Sequence, residues 1–180
     1  MAIPRNIKQY LFHSNVSYSH KTHSVAYTSQ EIAEVERVPG AEFAKAVVLQ
    51  ADERSECQPD RAQPVREGRM ILAVLPADHV INFDILKRHV GCGELSLASE
   101  REFIEKFPSC EPGAMPPFGK LFGLPLYCDA ALAKQAEIEF NAGTHVDTIR
   151  MTYPTFVKLE NPIMLSFSEK RTGEHAARTA

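Results

Sequence analysis

An α+β fold is predicted for this chain by three observations. Short runs rich in Val, Leu and Ile, of strand length, interleave with amphipathic stretches that carry helix-capping residues. These two kinds of segment mix without the regular βαβ alternation of a doubly wound parallel sheet. A length of 180 residues, with 44% apolar and 24% charged content, supports one domain with an ordinary core. No internal repeat and no linker divides the sequence, so a single domain over 1–170 is expected, followed by a small, polar, disordered tail at 171–180.

The elements follow in order. Ile3, Ile7, Tyr10 and Leu11 recur at helical spacing behind Pro4, which predicts a short N-terminal amphipathic helix. Residues 18–23 read as extended. Thr28 with Glu31 is a capping box that opens a helix ending near Pro39-Gly40. Residues 43–50 are rich in Val and Leu and read as a buried strand. The polar stretch 52–69, with Pro59 and Pro64, reads as a long hairpin loop. Residues 70–75 are a second buried strand. Asn82 caps a helix running to Val90, with Gly91 as its stop.

Residues 95–98 read as a short strand. Ser99 and Glu102 then form another capping box, for a helix that ends before Pro108. Residues 124–128 read as a strand, and Asp129 caps a helical turn. Residues 137–141 and 144–151 read as paired strands about an Ala142-Gly143 turn. Thr152 and Pro154 open a short helix, and residues 163–167 close the fold as a strand.

Composition narrows the function classes. A net charge of −3 gives no basic stripe of the kind that grips a long duplex, although contact with only the end of a nucleic acid remains compatible. No apolar run reaches the length of a membrane span, and residues 1–14 lack a continuous apolar signal core. The expected compartment is the cytoplasm. Cys57, Cys92, Cys110 and Cys128 have neither C-x-x-C nor zinc-ligand spacing, and are expected to be free thiols. His20 and His23 form H-x-x-H, but on a strand they point to opposite faces, so no metal is expected there. There is no G-x-S-x-G elbow and no Walker loop, and no cofactor is implied.

Three segments carry candidate chemistry. Gly113-Ala114-Met115-Pro116-Pro117-Phe118-Gly119 cannot be an ordinary helix or central strand. Its prolines fix φ and donate no N–H, leaving carbonyls that suit an amine or hydroxyl. Lys45 sits within the apolar strand Phe43-Ala44-Lys45-Ala46-Val47-Val48-Leu49. A lysine there needs a partner or a cavity for its ammonium, or it must snorkel at a strand edge. Phe140-Asn141-Ala142-Gly143-Thr144-His145 places a histidine just beyond a turn. That histidine could bind a ribose, orient water, or hydrogen-bond a carbonyl. Asn141 is as suited to a turn as to a ligand, and Asp129 is either a helix cap or a carboxylate near a substrate amine.

In that order and spacing, the three segments resemble the YbaK family of aminoacyl-tRNA deacylases, relatives of the editing domain of bacterial prolyl-tRNA synthetases. Thr28-Ser29-Gln30-Glu31, Ala73-Val74-Leu75-Pro76-Ala77, Leu97-Ala98-Ser99-Glu100 and Glu111-Pro112-Gly113 extend the resemblance from about His20 to about Phe167. The long 52–69 stretch departs from it. The resemblance implies a mixed, partly barrel-like sheet flanked by helices, and hydrolysis of a mischarged aminoacyl-tRNA ester. It implies that Lys45, Gly113 and His145 serve catalysis, and that His20, Pro117, Phe118, Asn141, Gly143 and Thr144 contact substrate. A positioned water and the tRNA's own ribose hydroxyl would then replace a side-chain nucleophile. The implied partners are the aminoacyl-tRNA 3′ end and an aminoacyl-tRNA synthetase. Two rivals stay open: a non-catalytic module that grips a tRNA end or a synthetase, and a hydrolase of another small aminoacyl ester.

Overall fold

The structure is a computed structural model that describes residues 3–24, 27–35, 37–52 and 68–171. Most of the 52–69 stretch and all of the tail beyond Arg171 therefore lie outside the described residues. The elements are α1 (Arg5–His13), β1 (Ser19–Thr22), α2 (Ser29–Val35), β2 (Ala44–Asp52), β3 (Gly68–Pro76), β4 (His79–Ile81), α3 (Phe83–Val90), β5 (Glu94–Leu97), α4 (Glu100–Lys106), α5 (Gly119–Phe122), β6 (Leu126–Asp129), a 3₁₀ turn (Ala130–Lys134), β7 (Glu137–Thr144), β8 (Asp147–Thr152), α6 (Tyr153–Glu160), β9 (Ile163–Leu165) and β10 (Ser168–Lys170).

The predicted caps form. Asn82 Oδ1 accepts from Ile85 N–H, and Gly91 ends α3 in the left-handed region. Ser99 and Glu102 make the reciprocal capping box of α4, and Thr152 caps α6. Asp129 Oδ1 accepts from Ala131 N–H while Oδ2 takes the N–H groups of Phe167 and Ser168. Asp129 is thus spent as a structural cap.

A five-stranded sheet runs β5-β2-β3-β6-β9, and an antiparallel three-stranded sheet runs β1-β8-β7. The two meet at a parallel bridge, Phe43 with Glu139, backed by Glu139 N–H donating to Glu42 O. A small β10-β4 pair completes the set. The architecture is mixed α+β as predicted, and these sheets do not close into a barrel.

Strand alternation divides the side chains. Ala44, Val48, Phe140 and Ile149 face the main core, where Phe118 is fully buried between Tyr10 and Phe140. Val47, Leu49, Ile71 and Leu75 face a second core under α3, and Phe43 packs with Ile32 of α2 in a third.

Several boundaries differ from the sequence reading: α2 ends at Val35 and not near Pro39-Gly40, and the strand expected over 163–167 stops at Leu165, with β10 after it. The β7–β8 reversal falls at His145-Val146, because Ala142 and Gly143 are absorbed into β7 as an irregularity between Asn141 and Thr144. Gly143 carries φ +95°, and a Cβ there would lie 2.8 Å from Pro4 Cγ, so the kink exists to let α1 approach. The sixth strand begins at Leu126 rather than 124. The elements β4, β10 and α5 were not foreseen. They are three or four residues long, too short to display a period.

Candidate functional site

Glu111-Pro112-Gly113-Ala114 is a tight turn closed by Ala114 N–H donating to Glu111 O at 2.9 Å. Proline at the second position and glycine at the third with φ +85° match a type II turn, in which the third residue must be left-handed. Two backbone bonds dock this turn onto the irregular end of β7: Glu111 N–H to Gly143 O and Gly143 N–H to Ala114 O, both 2.9 Å. The Glu111 carboxylate accepts the His145 backbone N–H at 2.6 Å. Asn141 Nδ2 donates to Gly113 O at 3.5 Å, and His145 Nε2 meets Pro112 O at 3.0 Å.

These bonds fix the chemistry of what remains. A carbonyl oxygen can only accept, so Nε2 of His145 carries the proton and Nδ1 of the neutral ring is a bare acceptor. That Nδ1 is buried and has no hydrogen-bond partner. Asn141 uses its NH₂ on Gly113 O, and its Oδ1 is likewise buried and unpaired. A third such atom is His23 Nε2. His23 Nδ1 donates to Ser24 O, and its backbone N–H pairs with Val146 O across the same reversal. Buried polar atoms without partners are uncommon because each costs about 1–3 kcal/mol. Three of the four found among the described residues lie at this turn or belong to residues bonded to the β7–β8 reversal it docks on.

Lys45 lies on the same sheet face. The Phe43–Glu139 bridge is parallel, so Lys45 and Asn141, each two residues further on, point to the side that Phe43 and Glu139 share. Lys45 Nζ donates to Ala77 O at 3.3 Å and to His79 O, both at the β3–β4 turn. Burial lowers its pKa from 10.5 to about 8; the nearby Arg171 adds to the fall and Asp78 opposes it. Its hydrogen bonds run to that turn and not to the 111–114 turn. Two of its three N–H donors are thereby engaged. Arg171 is positioned by its Nη1 bond to Gln30 and by its backbone N–H on Asp78 O.

The remaining predicted residues go elsewhere. His20 and Thr144 converge on Asp147. His20 Nε2 lies 2.7 Å from Oδ1, Thr144 Oγ1 donates to Oδ2 at 2.7 Å, and Thr22 Oγ1 donates to Oδ1 at 3.3 Å. His20 pairs with Ile149, which places this cluster on the face opposite Asn141. Burial would raise Asp147, but the bonds from Thr144, His20 and Thr22 outweigh it and hold the carboxyl below its usual range. Gly143 faces α1, Pro117 is buried, and the Phe118 ring belongs to the core.

Glu139 is fully buried next to the site, accepting from Thr148 at 2.9 Å and from Lys21 at 3.2 Å. Arg150 bridges it to Glu137 and Glu42, which ties β7 to the segment leading into β2. Sequence reasoning did not single out Asp147, Glu139 or Tyr27, and included Glu111 only as part of a motif. A carboxylate immediately before a Pro-Gly pair is the one available signal. Burial pushes the Cys110 thiol up to about 11 and Cys128 up to about 12, so neither is a thiolate near neutrality. No group of three or more His, Cys, Asp or Glu side chains is arranged to hold a metal ion among the described residues. No helix among them is long and apolar enough to cross a membrane.

A family model described as an aminoacyl-tRNA editing domain matches residues 23–159, and the chain belongs to that family. The match spans the β7–β8 reversal, the 111–114 turn and Lys45. Among solved structures, the chain is similar to hypothetical protein APE2540, at 16% identity and TM-score 0.75, over 92% of this chain and 100% of that one. It is also similar to "a putative trans-editing enzyme for prolyl tRNA synthetase", at 19% identity and TM-score 0.73, over 92% of this chain and 96% of that one. At these identities the likeness establishes the YbaK-like fold alone. No curated protein matches the chain.

Proposed function

We propose that this chain hydrolyses the ester of mischarged aminoacyl-tRNA in trans, in the cytoplasm, releasing amino acid and tRNA. The observation that carries the reading is the pair of bare buried acceptors, Asn141 Oδ1 and His145 Nδ1, beside the left-handed Gly113 turn of an editing-family domain. An aminoacyl ester presents complementary donors. Its ammonium supplies N–H groups for Asn141 Oδ1 or for the turn's carbonyls. A water, or the ribose hydroxyl next to the ester, supplies an O–H for His145 Nδ1.

Water attacks the ester carbonyl and its proton passes to His145. The tetrahedral intermediate collapses by breaking the bond to the ribose oxygen, which takes the proton back. The products are a free ribose hydroxyl and a carboxylic acid, which releases its remaining proton to solvent as the carboxylate. Lys45 contributes positive charge and one uncommitted N–H on the same face, which favours the oxyanion. No side-chain nucleophile is needed, because the ester is already activated and the work lies in positioning.

A panel of mischarged tRNAs tests this. At least one member should be deacylated well above its spontaneous rate. His145→Ala should lower kcat by about 100-fold or more, in line with loss of a general base. If no member is hydrolysed but the tRNA 3′ end still binds, the chain is a binding module and not an enzyme.

A further inference from the structure

Tyr27 sits at the helix position where an apolar residue ordinarily packs inward. Thr28 is the N-cap of α2: its Oγ1 accepts from Glu31 N–H, and the Glu31 carboxylate accepts from the Thr28 and Tyr27 backbone N–H groups. In such a capping box, an apolar residue just before the cap usually staples onto the fourth helical residue, here Ile32. Ile32 is fully buried, yet Tyr27 is 71% exposed. Its ring leans instead on His145, with centroids 5.2 Å apart and planes at 57°. The box holds the Tyr27 backbone in place, so this large aromatic is presented to solvent and not merely left loose there.

We propose that Tyr27 is the stacking platform for the terminal adenine of the tRNA, a positioning residue whose ring continues the wall begun by His145. The inference rests on the editing reading above and names what that site holds besides the ester. If the ester oxygen lies within reach of His145 Nδ1, the base attached to the same ribose lies one sugar away. The exposed aromatic nearest His145 is the surface it would meet. Adenine has a large π-face, and base–aromatic stacking tolerates the weak charge of this protein because it needs no cation. The platform explains how a chain of net charge −3 retains a nucleic-acid end with few phosphate contacts.

The test has two arms. In the first, deacylated tRNA carrying 2-aminopurine in place of its terminal adenine is titrated with protein, and fluorescence quenching reports stacking. Wild type and Tyr27→Phe should quench; Tyr27→Leu and Tyr27→Ala should quench little and bind about ten-fold more weakly. In the second arm, kcat/KM is compared between an aminoacyl-adenosine and the same ester on a ribose that lacks the base. The preference for the base should shrink about ten-fold in Tyr27→Ala and persist in Tyr27→Phe.

Hydrolysis of mischarged tRNA by wild type, with quenching and base preference unchanged in Tyr27→Ala, overturns the platform and leaves the editing reading intact. Absence of both hydrolysis and binding in wild type overturns both.

Discussion

The β7–β8 hairpin carries two polar clusters, one on each face, and they differ in whether their hydrogen bonds are finished. On the α1 side, the buried Asp147 carboxylate receives His20, Thr22 and Thr144. Across the sheet, Asn141 and His145 each use one polar atom on the 111–114 turn and hold the other buried and bare. Both clusters contain a histidine and a short polar side chain, so residue type does not separate them. Saturation does. A finished cluster stabilises the fold, and an unfinished one stores a cost that a ligand can relieve.

Lys45 tests the boundary between these cases, because two of its three donors are occupied while the ammonium remains desolvated. Lys45→Ala should fold and lose about 100-fold or more in deacylation, the size expected from removing one electrostatic contact to a developing oxyanion. Its titration sharpens the test. The folded pKa of about 8 lies below the ordinary lysine value of 10.5. The unfolded chain therefore binds more protons between those values, and stability rises with pH across that window. Activity that needs the ammonium moves the other way, falling as pH rises through about 8. A pH–rate profile corrected for spontaneous hydrolysis should show that alkaline limb, and Lys45→Arg should shift it beyond the accessible range. Near wild-type turnover in folded Lys45→Ala removes Lys45 from the chemistry.

Gly113→Ala comes next in size. A Cβ there would make only an ordinary 3.8 Å contact with His145 Cε1, so sterics are not the issue; φ +85° is. Holding alanine in the left-handed region costs about 1–2 kcal/mol, and the turn can relax by shifting Pro112 O and Gly113 O. Those carbonyls orient His145 and Asn141, so a small shift should cost about ten-fold or more in kcat/KM while the melting temperature moves little. If activity falls only in step with unfolding, the turn is structural.

Asp147→Asn supplies the contrast. It should destabilise the fold by about 1–3 kcal/mol by leaving His20, Thr22 and Thr144 short of a charged acceptor. Residual activity should follow the folded fraction. A loss of kcat in fully folded Asp147→Asn would mean that the two faces are coupled through the reversal.

The sequence made the fold legible because its signals are local. Capping boxes at Thr28 and Ser99, the Asn82 and Thr152 caps and the Val-rich runs each act over a few residues, and they appear where the spacing places them. The site was legible only in part. The motif segments named Asn141, Gly113 and His145 together, but facing is a tertiary property. Gly143 and Thr144 lie beside His145 in sequence, and the kink at Gly143 turns them toward α1 and Asp147. The family resemblance puts His20 among the substrate contacts, but its pairing with Ile149 sends it to the other face. The Pro112-Gly113 turn could have been read from its dipeptide alone.

The smallest effect expected is on salt dependence. The cations nearest the motif segments are largely committed. Arg150 is held by Glu42, Glu137 and Glu139, Lys21 by Glu139, and Lys120 Nζ by Leu159 O. Committed cations neutralise few phosphates, and the net charge of −3 adds no long-range attraction. Binding of deacylated tRNA should therefore be weak. Its logarithm should fall with the logarithm of salt concentration at a slope matching roughly two or three phosphates. The contact would centre on the terminal adenosine and the attached amino acid, with any preference for one tRNA body supplied by a synthetase. A slope equivalent to roughly six or more phosphates would place an extended binding face on this protein. The unfinished cluster would then be only one part of how it recognises tRNA.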